Sequence, residues 1–324
     1  MIRPPYDAGV GAVLAAAGLD RDVPAPAAED LIAGLRAGNS EDLSGYDVVR
    51  RDITADGFRG AALTASVYSR PDHSGTGPGL FVLHGGGMVG GTRFTGLSML
   101  LPLLAAHDVS LVTVDYRLAP EHPDPYPVED AYAALVWTAR NAGDLGIDPG
   151  RLIVAGVSSG GGLAAGTALL ARDRGGPALL GQLLICPMLD DRGRTVSARQ
   201  FDRSGTWTGG HNRAGWSALL GTRAGTSDVS AYAAPARAAD LSGLPPAFLD
   251  VGSAEVFRDE SVTYASRIWA DGGDCELHVW PGGTHAWDAL VPDAPMARQA
   301  AAARSGWLGR LIATPAAVAS AVPA

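Results

Sequence analysis

At 324 residues with 47% hydrophobic content, the chain can bury one large α/β core, and its net charge of -9 opposes nucleic acid and anionic membrane surfaces as partners. All 25 Lys+Arg positions are arginine, which excludes a Schiff-base mechanism and a Ser-Lys dyad. The two cysteines read as buried thiols of a reducing, cytoplasmic compartment rather than as a disulfide scaffold. No run is long enough to span a bilayer and no His or Cys pair stands at ligand spacing, so no membrane span, metal or cofactor is expected.

The first apolar stretch, residues 10–17, has small residues like a secretory signal, but one arginine followed by Asp7 is a poor basic leader, and the stretch reads as a cap helix. Eight strand-like runs follow at 46–54, 61–68, 80–83, 109–115, 152–155, 179–186, 247–251 and 276–280. Helical patterns separate most of the later ones, for example at 128–141, 163–172 and 261–270. Such alternation predicts an α/β protein with a mostly parallel sheet wound on both faces and its ligand groups beyond the strand C-termini.

Three of those strand ends carry chemistry. After the run 80–83 come His84, Gly85, Gly86 and Gly87, whose unobstructed N–H groups can donate to a developing oxyanion. Gly85, Gly87 and Gly90 also spell G-x-G-x-x-G, with Asp115 ending the next strand as a ribose-binding acid would; that dinucleotide reading leaves Ser158 and His285 unexplained. After 151–155 comes Gly156-Val157-Ser158-Ser159-Gly160, then a small-residue helical pattern: strand, sharp turn, helix, the arrangement that holds a serine hydroxyl exposed. After 275–280 a Pro-Gly-Gly turn delivers His285, placed on a loop as a general base should be. Of the other histidines, His278 reads as a strand-face residue and His84 as a brace for the glycine loop; His73, His107 and His211 have no supporting context.

Taken with Asp115-Tyr116-Arg117-Leu118-Ala119-Pro120-Glu121-His122-Pro123, these segments resemble the bacterial hormone-sensitive-lipase-like esterases over roughly residues 75 to 310. In that resemblance His122 belongs to a structural segment. The elbow departs from the family's common Gly-Asp-Ser-Ala-Gly at Val157 and Ser159, and the acid segment 252–260 carries Glu255 where Asp is usual, with Asp259 and Asp250 as alternatives. The likeness implies an α/β-hydrolase fold, with an eight-stranded sheet and a helical cap. It divides the chain into cap (1–45, 190–240), core (46–189, 241–312) and a frayed tail (313–324). Phe201, Trp207 and Trp216 become candidate pocket walls, and Met88 and Val89 stand where many relatives place an aromatic.

The implied activity is hydrolysis of short-to-medium acyl esters through an acyl-enzyme. Ser158 is the nucleophile, His285 the base and Glu255 its orienting acid, with Gly86, Gly87 and Ser159 N–H groups as the oxyanion hole. Amide, carbamate or lactone hydrolysis would use the same residues. A non-catalytic receptor is a different class, and the gibberellin receptors that resemble this family have lost the histidine that is retained here as His285. The partner expected is a small-molecule ester; the sequence leaves oligomeric state, a homodimer included, open.

Overall fold

Residues with period-two or continuous apolar character pair into a single sheet. The computed structural model describes residues 1–24, 27–37 and 43–313, so the tail expected at 313–324 falls, apart from Ala313, outside the described residues. The strands are β1 (Val49–Asp56), β2 (Ala62–Ser69), β3 (Gly77–Leu83), β4 (Ser110–Val114), β5 (Ile147–Val157), β6 (Gly181–Ile185), β7 (Ala247–Gly252) and β8 (Cys275–Trp280). They lie in the order β1-β2-β4-β3-β5-β6-β7-β8. The β1/β2 and β2/β4 pairs are antiparallel and the others are parallel.

Each predicted strand is present, with its ends moved. β5 begins earlier than its apolar run because Ile147 pairs with Gly77 across a register shift. β4, β6 and β7 are buried along their whole length, the signature of strands covered on both faces.

The helices are α1 (Ala8–Ala16), α2 (Ala28–Arg36), α3 (Leu101–His107), α4 (Tyr126–Arg140), α5 (Ser159–Asp173), α6 (Val196–Gln200), α7 (Gly209–Leu220), α8 (Arg258–Ala270), α9 (Trp287–Leu290) and α10 (Pro295–Ala313). Right-handed crossovers assign their layers. From β3 the chain moves through α3 to β4 in one direction, then through α4, α5 and α8 in the other, so α3 lies on one face and those three on the opposite face. α10 returns to the face of α3, where His107 Nε2 and Ser305 Oγ are 2.8 Å apart. α5 starts four residues before its predicted start at 163, at Ser159. Its early glycines are helical because they press on neighbouring backbone: a Cβ on Gly162 would lie 2.0 Å from the Met188 carbonyl oxygen.

The stretch read as an N-terminal helix is α1, capped by the Asp7 carboxylate and packed through Val10 and Leu14 on Trp287, Ala297 and Ala300. α2 packs on α7, Tyr6 lies against Phe201 at the end of α6, and Leu35 lies against the glycine loop. Because the connection leaving β3 and the connection leaving β5 run in opposite directions, the C-terminal ends of these adjacent strands form the switch point at which open sheets of this kind place their ligand groups.

One buried ionic cluster ties α9 and α10 to β7. Arg304, 2% exposed, donates from Nε to Asp250 Oδ2 (2.8 Å) and from Nη1 to Asp288 Oδ2 (2.5 Å). Arg304→Met would leave two buried carboxylates without their cation. The expected loss is about 3–5 kcal/mol in urea unfolding, with the variant still native at low denaturant.

Candidate active site

β3 and β5 bring the glycine loop and Ser158 to that switch point. Ser158 sits at φ 60°, ψ -124°, a costly conformation for a residue with a side chain. Its surroundings impose it: Ser158 N–H donates to the Ile185 carbonyl (2.8 Å), while its own carbonyl accepts from Met188 N–H (3.0 Å) and Gly162 N–H (3.1 Å). Only glycine fits on either side. A Cβ on Gly156 would lie 2.1 Å from the Gly160 carbonyl oxygen, and one on Gly160 would lie 2.0 Å from that of Leu83.

β7 and β8 supply the other two groups. Backbone from the two loops meets closely, with Ala254 N–H donating to the Gly283 carbonyl (3.0 Å). His285 Nε2 is 2.9 Å from Ser158 Oγ, and His285 Nδ1 is 2.6 Å from Glu255 Oε2. Glu255 is 1% exposed, and its second oxygen accepts from Gly252 N–H (3.1 Å), so the longer side chain folds back on its own strand end. Thr206 Oγ1 donates to the His285 carbonyl (2.6 Å). The other candidate acids are engaged elsewhere: Asp259 accepts from Ser197 N–H (2.7 Å) and pairs with Arg258, and Asp250 belongs to the Arg304 cluster.

In the glycine loop, Gly86 has φ +116° and Gly87 φ +65°. Among the described residues, the N–H groups of Gly86, Gly87 and Ser159 donate to no protein acceptor. Ser159 N–H opens α5, where the helix dipole also favours negative charge. The Ser159 hydroxyl is wholly buried and makes no bond to His285. His84 braces the loop: its ring stacks 4.2 Å from Tyr116, and burial pushes it down to about 4, so the neutral ring donates from Nδ1 to the Gly85 carbonyl (2.7 Å). Asp115, the acid of the dinucleotide reading, is taken by Arg93 through its backbone N–H and guanidinium, both at 2.6 Å.

Of the candidate wall residues, Met88, Val89, Phe201 and Trp216 are each 1% exposed and packed in the main core. Trp207 reaches the site, with its ring 6.3 Å from that of His285 and Cη2 2.7 Å from where a Gly87 Cβ would stand. Two neighbours carried no signal in sequence. Phe257 sets an edge against the His285 ring at 5.0 Å, and Cys186 brings its sulfur within 4.8 Å of ligand atoms of Glu255 and His285. Burial and the nearby carboxylates of Glu255, Asp288 and Asp250 push the Cys186 thiol well up, so it stays protonated and inert as a nucleophile.

The other histidines have structural partners. His73 meets Asp108 and the Gly146 carbonyl, His211 caps α7, His122 packs on Tyr126, and His278 stacks between Phe248 and Trp280.

A serine at a strained strand-to-helix turn, bonded to an imidazole that is bonded to a buried carboxylate, defines a serine hydrolase. Residues 80–289 match the family described as alpha/beta hydrolase fold. The carboxylesterase NlhH of Mycobacterium tuberculosis is 35% identical over 269 residues, 78% of this chain and 79% of that protein. A bacterial heroin esterase superposes with a TM-score of 0.86 at 36% identity, covering 95% of this chain and 98% of that one. A thermostable esterase from Pseudomonas putida gives 0.83 at 30% identity, covering 97% and 100%. The chain belongs to the alpha/beta hydrolase fold family. Among the described residues no helix is long and apolar enough to cross a membrane.

Gly160→Ala tests the turn directly. The added methyl must separate α5 from the end of β3, so the variant is expected to lose about 3 kcal/mol in urea unfolding and most phosphonate labelling of Ser158.

Proposed function

We propose that this chain is a carboxylesterase of the hormone-sensitive-lipase-like group, acting on short-to-medium acyl esters of small molecules. The observation that carries the reading is the unbroken chain from Ser158 Oγ through His285 to Glu255 Oε2, at 2.9 and 2.6 Å. Kinship with esterases over most of the chain supports the bond type.

In this reading His285 Nε2 takes the Ser158 proton as Oγ attacks the ester carbonyl carbon. The oxyanion that forms is held by N–H groups of Gly86, Gly87 and Ser159, whose freedom from protein acceptors supports the assignment. His285 then protonates the departing alkoxide, and the C–O bond breaks to leave the acyl-enzyme. Water, deprotonated by the same imidazole, releases the acid. Glu255 fixes the tautomer with Nδ1–H toward itself and stabilises the imidazolium; it keeps its own charge throughout.

Residues 1–45 and 190–240 act as the cap over this mouth, with Trp207 as the wall nearest the acyl group. Its contact with Gly87 supports a pocket suited to shorter chains. Two cysteines, both free and buried, support a cytoplasmic location.

Two measurements test the proposal. Intact-mass labelling with a serine-directed phosphonate is expected to add one group, mapped to Ser158 and absent in Ser158→Ala; labelling at Ser159 would overturn it. With p-nitrophenyl esters of increasing chain length, Glu255→Gln is expected to lower kcat by about 10³–10⁴ with the fold intact. Full activity in that variant would move the acid elsewhere.

A further inference from the structure

The glycine loop is gripped from outside the sheet by the last turn of α2. Arg36 donates from Nε to the Val89 carbonyl (2.8 Å), and from Nη2 to the Ala119 carbonyl (3.0 Å) and Glu121 Oε2 (2.8 Å). Its Nη1 reaches Glu121 Oε1 (2.9 Å), so one planar guanidinium spans two backbone segments and closes a bidentate ion pair. The segments are also joined to each other, Ala119 N–H donating to the Met88 carbonyl (2.9 Å). Beside this contact, the Leu35 carbonyl accepts from Gly91 N–H (3.2 Å). α2 comes this close because residue 90 is glycine: a Cβ there would lie 2.4 Å from the Leu35 Cβ.

What Arg36 holds is one end of the turn whose other end faces the substrate. Val89 N–H and Gly90 N–H both donate to the Gly86 carbonyl (3.1 and 3.0 Å), so the Val89 peptide and the Gly86 peptide move together. Met88, between them, is held at φ 63°, a conformation that a residue with a side chain keeps only under restraint. A loop rich in glycine has little stiffness of its own, and its N–H directions are set by what pins it.

We propose that Arg36 is a positioning residue: by clamping the Val89 and Ala119 carbonyls it aims the Gly86 and Gly87 N–H groups at the oxyanion, a role that rests on the ester-hydrolase reading. Substrate binding does not require that aim, whereas the transition state does, so the effect falls on kcat rather than on KM. Glu121 pairs with the guanidinium on the solvent side, where screening leaves the two carbonyl contacts to set its position. Arg36 lowers the Glu121 carboxyl to about 2, so the pair stays charged across any practical assay range.

Arg36→Ala is expected to lower kcat for p-nitrophenyl esters by roughly 10- to 100-fold, below the full loss of an oxyanion donor, with KM changed by less than about 3-fold. Arg36→Lys is expected to recover only part of this, because an ammonium cannot span the same acceptors. Glu121→Gln keeps both carbonyl contacts and is expected to stay within about 3-fold of the parent. Thermal unfolding of all three is expected close to the parent, separating aim from global stability.

The proposal is overturned if Arg36→Ala keeps its kcat, or if its loss lies in KM. Failure of the esterase reading looks different: the parent itself would turn over no ester and take no label at Ser158. In that event amide hydrogen exchange over residues 86–89 still decides the clamp. Faster exchange in Arg36→Ala supports it and unchanged exchange overturns it.

Discussion

The contact between the first turn of α5 and the end of β3 is the constraint on which the active site depends. With Gly160 pressed against the Leu83 carbonyl, the peptide at Ser158 has no room for an ordinary strand-to-helix turn and takes φ 60° instead. Strain of this kind costs about 1–3 kcal/mol, offset by the three hydrogen bonds that fix the Ser158 backbone. The same contact sets the start of α5 beside the glycine loop, so Ser158 and the N–H groups of Gly86, Gly87 and Ser159 share one rigid origin.

Electrostatics complete what packing begins. Glu255 is buried, yet both of its oxygens are bonded, one to His285 and one to Gly252 N–H. A buried carboxylate with both oxygens occupied is held in one rotamer, and it holds the imidazole in turn. Behind it, Arg304 ties the base of the acid loop to α10, while burial pushes the Asp250 carboxyl up against the pull of that cation. Catalytic and structural carboxylates therefore stand close together but answer to different partners.

The strand order's raw material and the three reacting groups were legible in sequence because each is local. Apolar period, flanking glycine and a short turn identify Ser158 and His285, whereas Glu255 was set apart from Asp250 and Asp259 by the resemblance of segment 252–260 to the family's acid motif. The pocket was not legible. Phe201, Trp207 and Trp216 are alike as sequence symbols and all three are buried in the main core, and only the fold decides that Trp207 also meets Gly87. Phe257 and Cys186 gave no signal because their roles are contacts and not chemistry. Arg36 was invisible for another reason: its partners lie 53 to 85 residues away, and one arginine among 25 carries no local pattern.

The joint between Asp7 and Gly282 has a temporal meaning. Asp7 N–H bonds to the Gly282 carbonyl at 3.0 Å, so a segment made before Ser158 is fastened to one made after it. Until that late turn emerges, the nascent polypeptide has its hydroxyl but no imidazole to activate it. Closing so long a loop carries an entropic cost that local contacts do not. Synthesis order thus leaves the growing chain without its base until residues 281–285 are made.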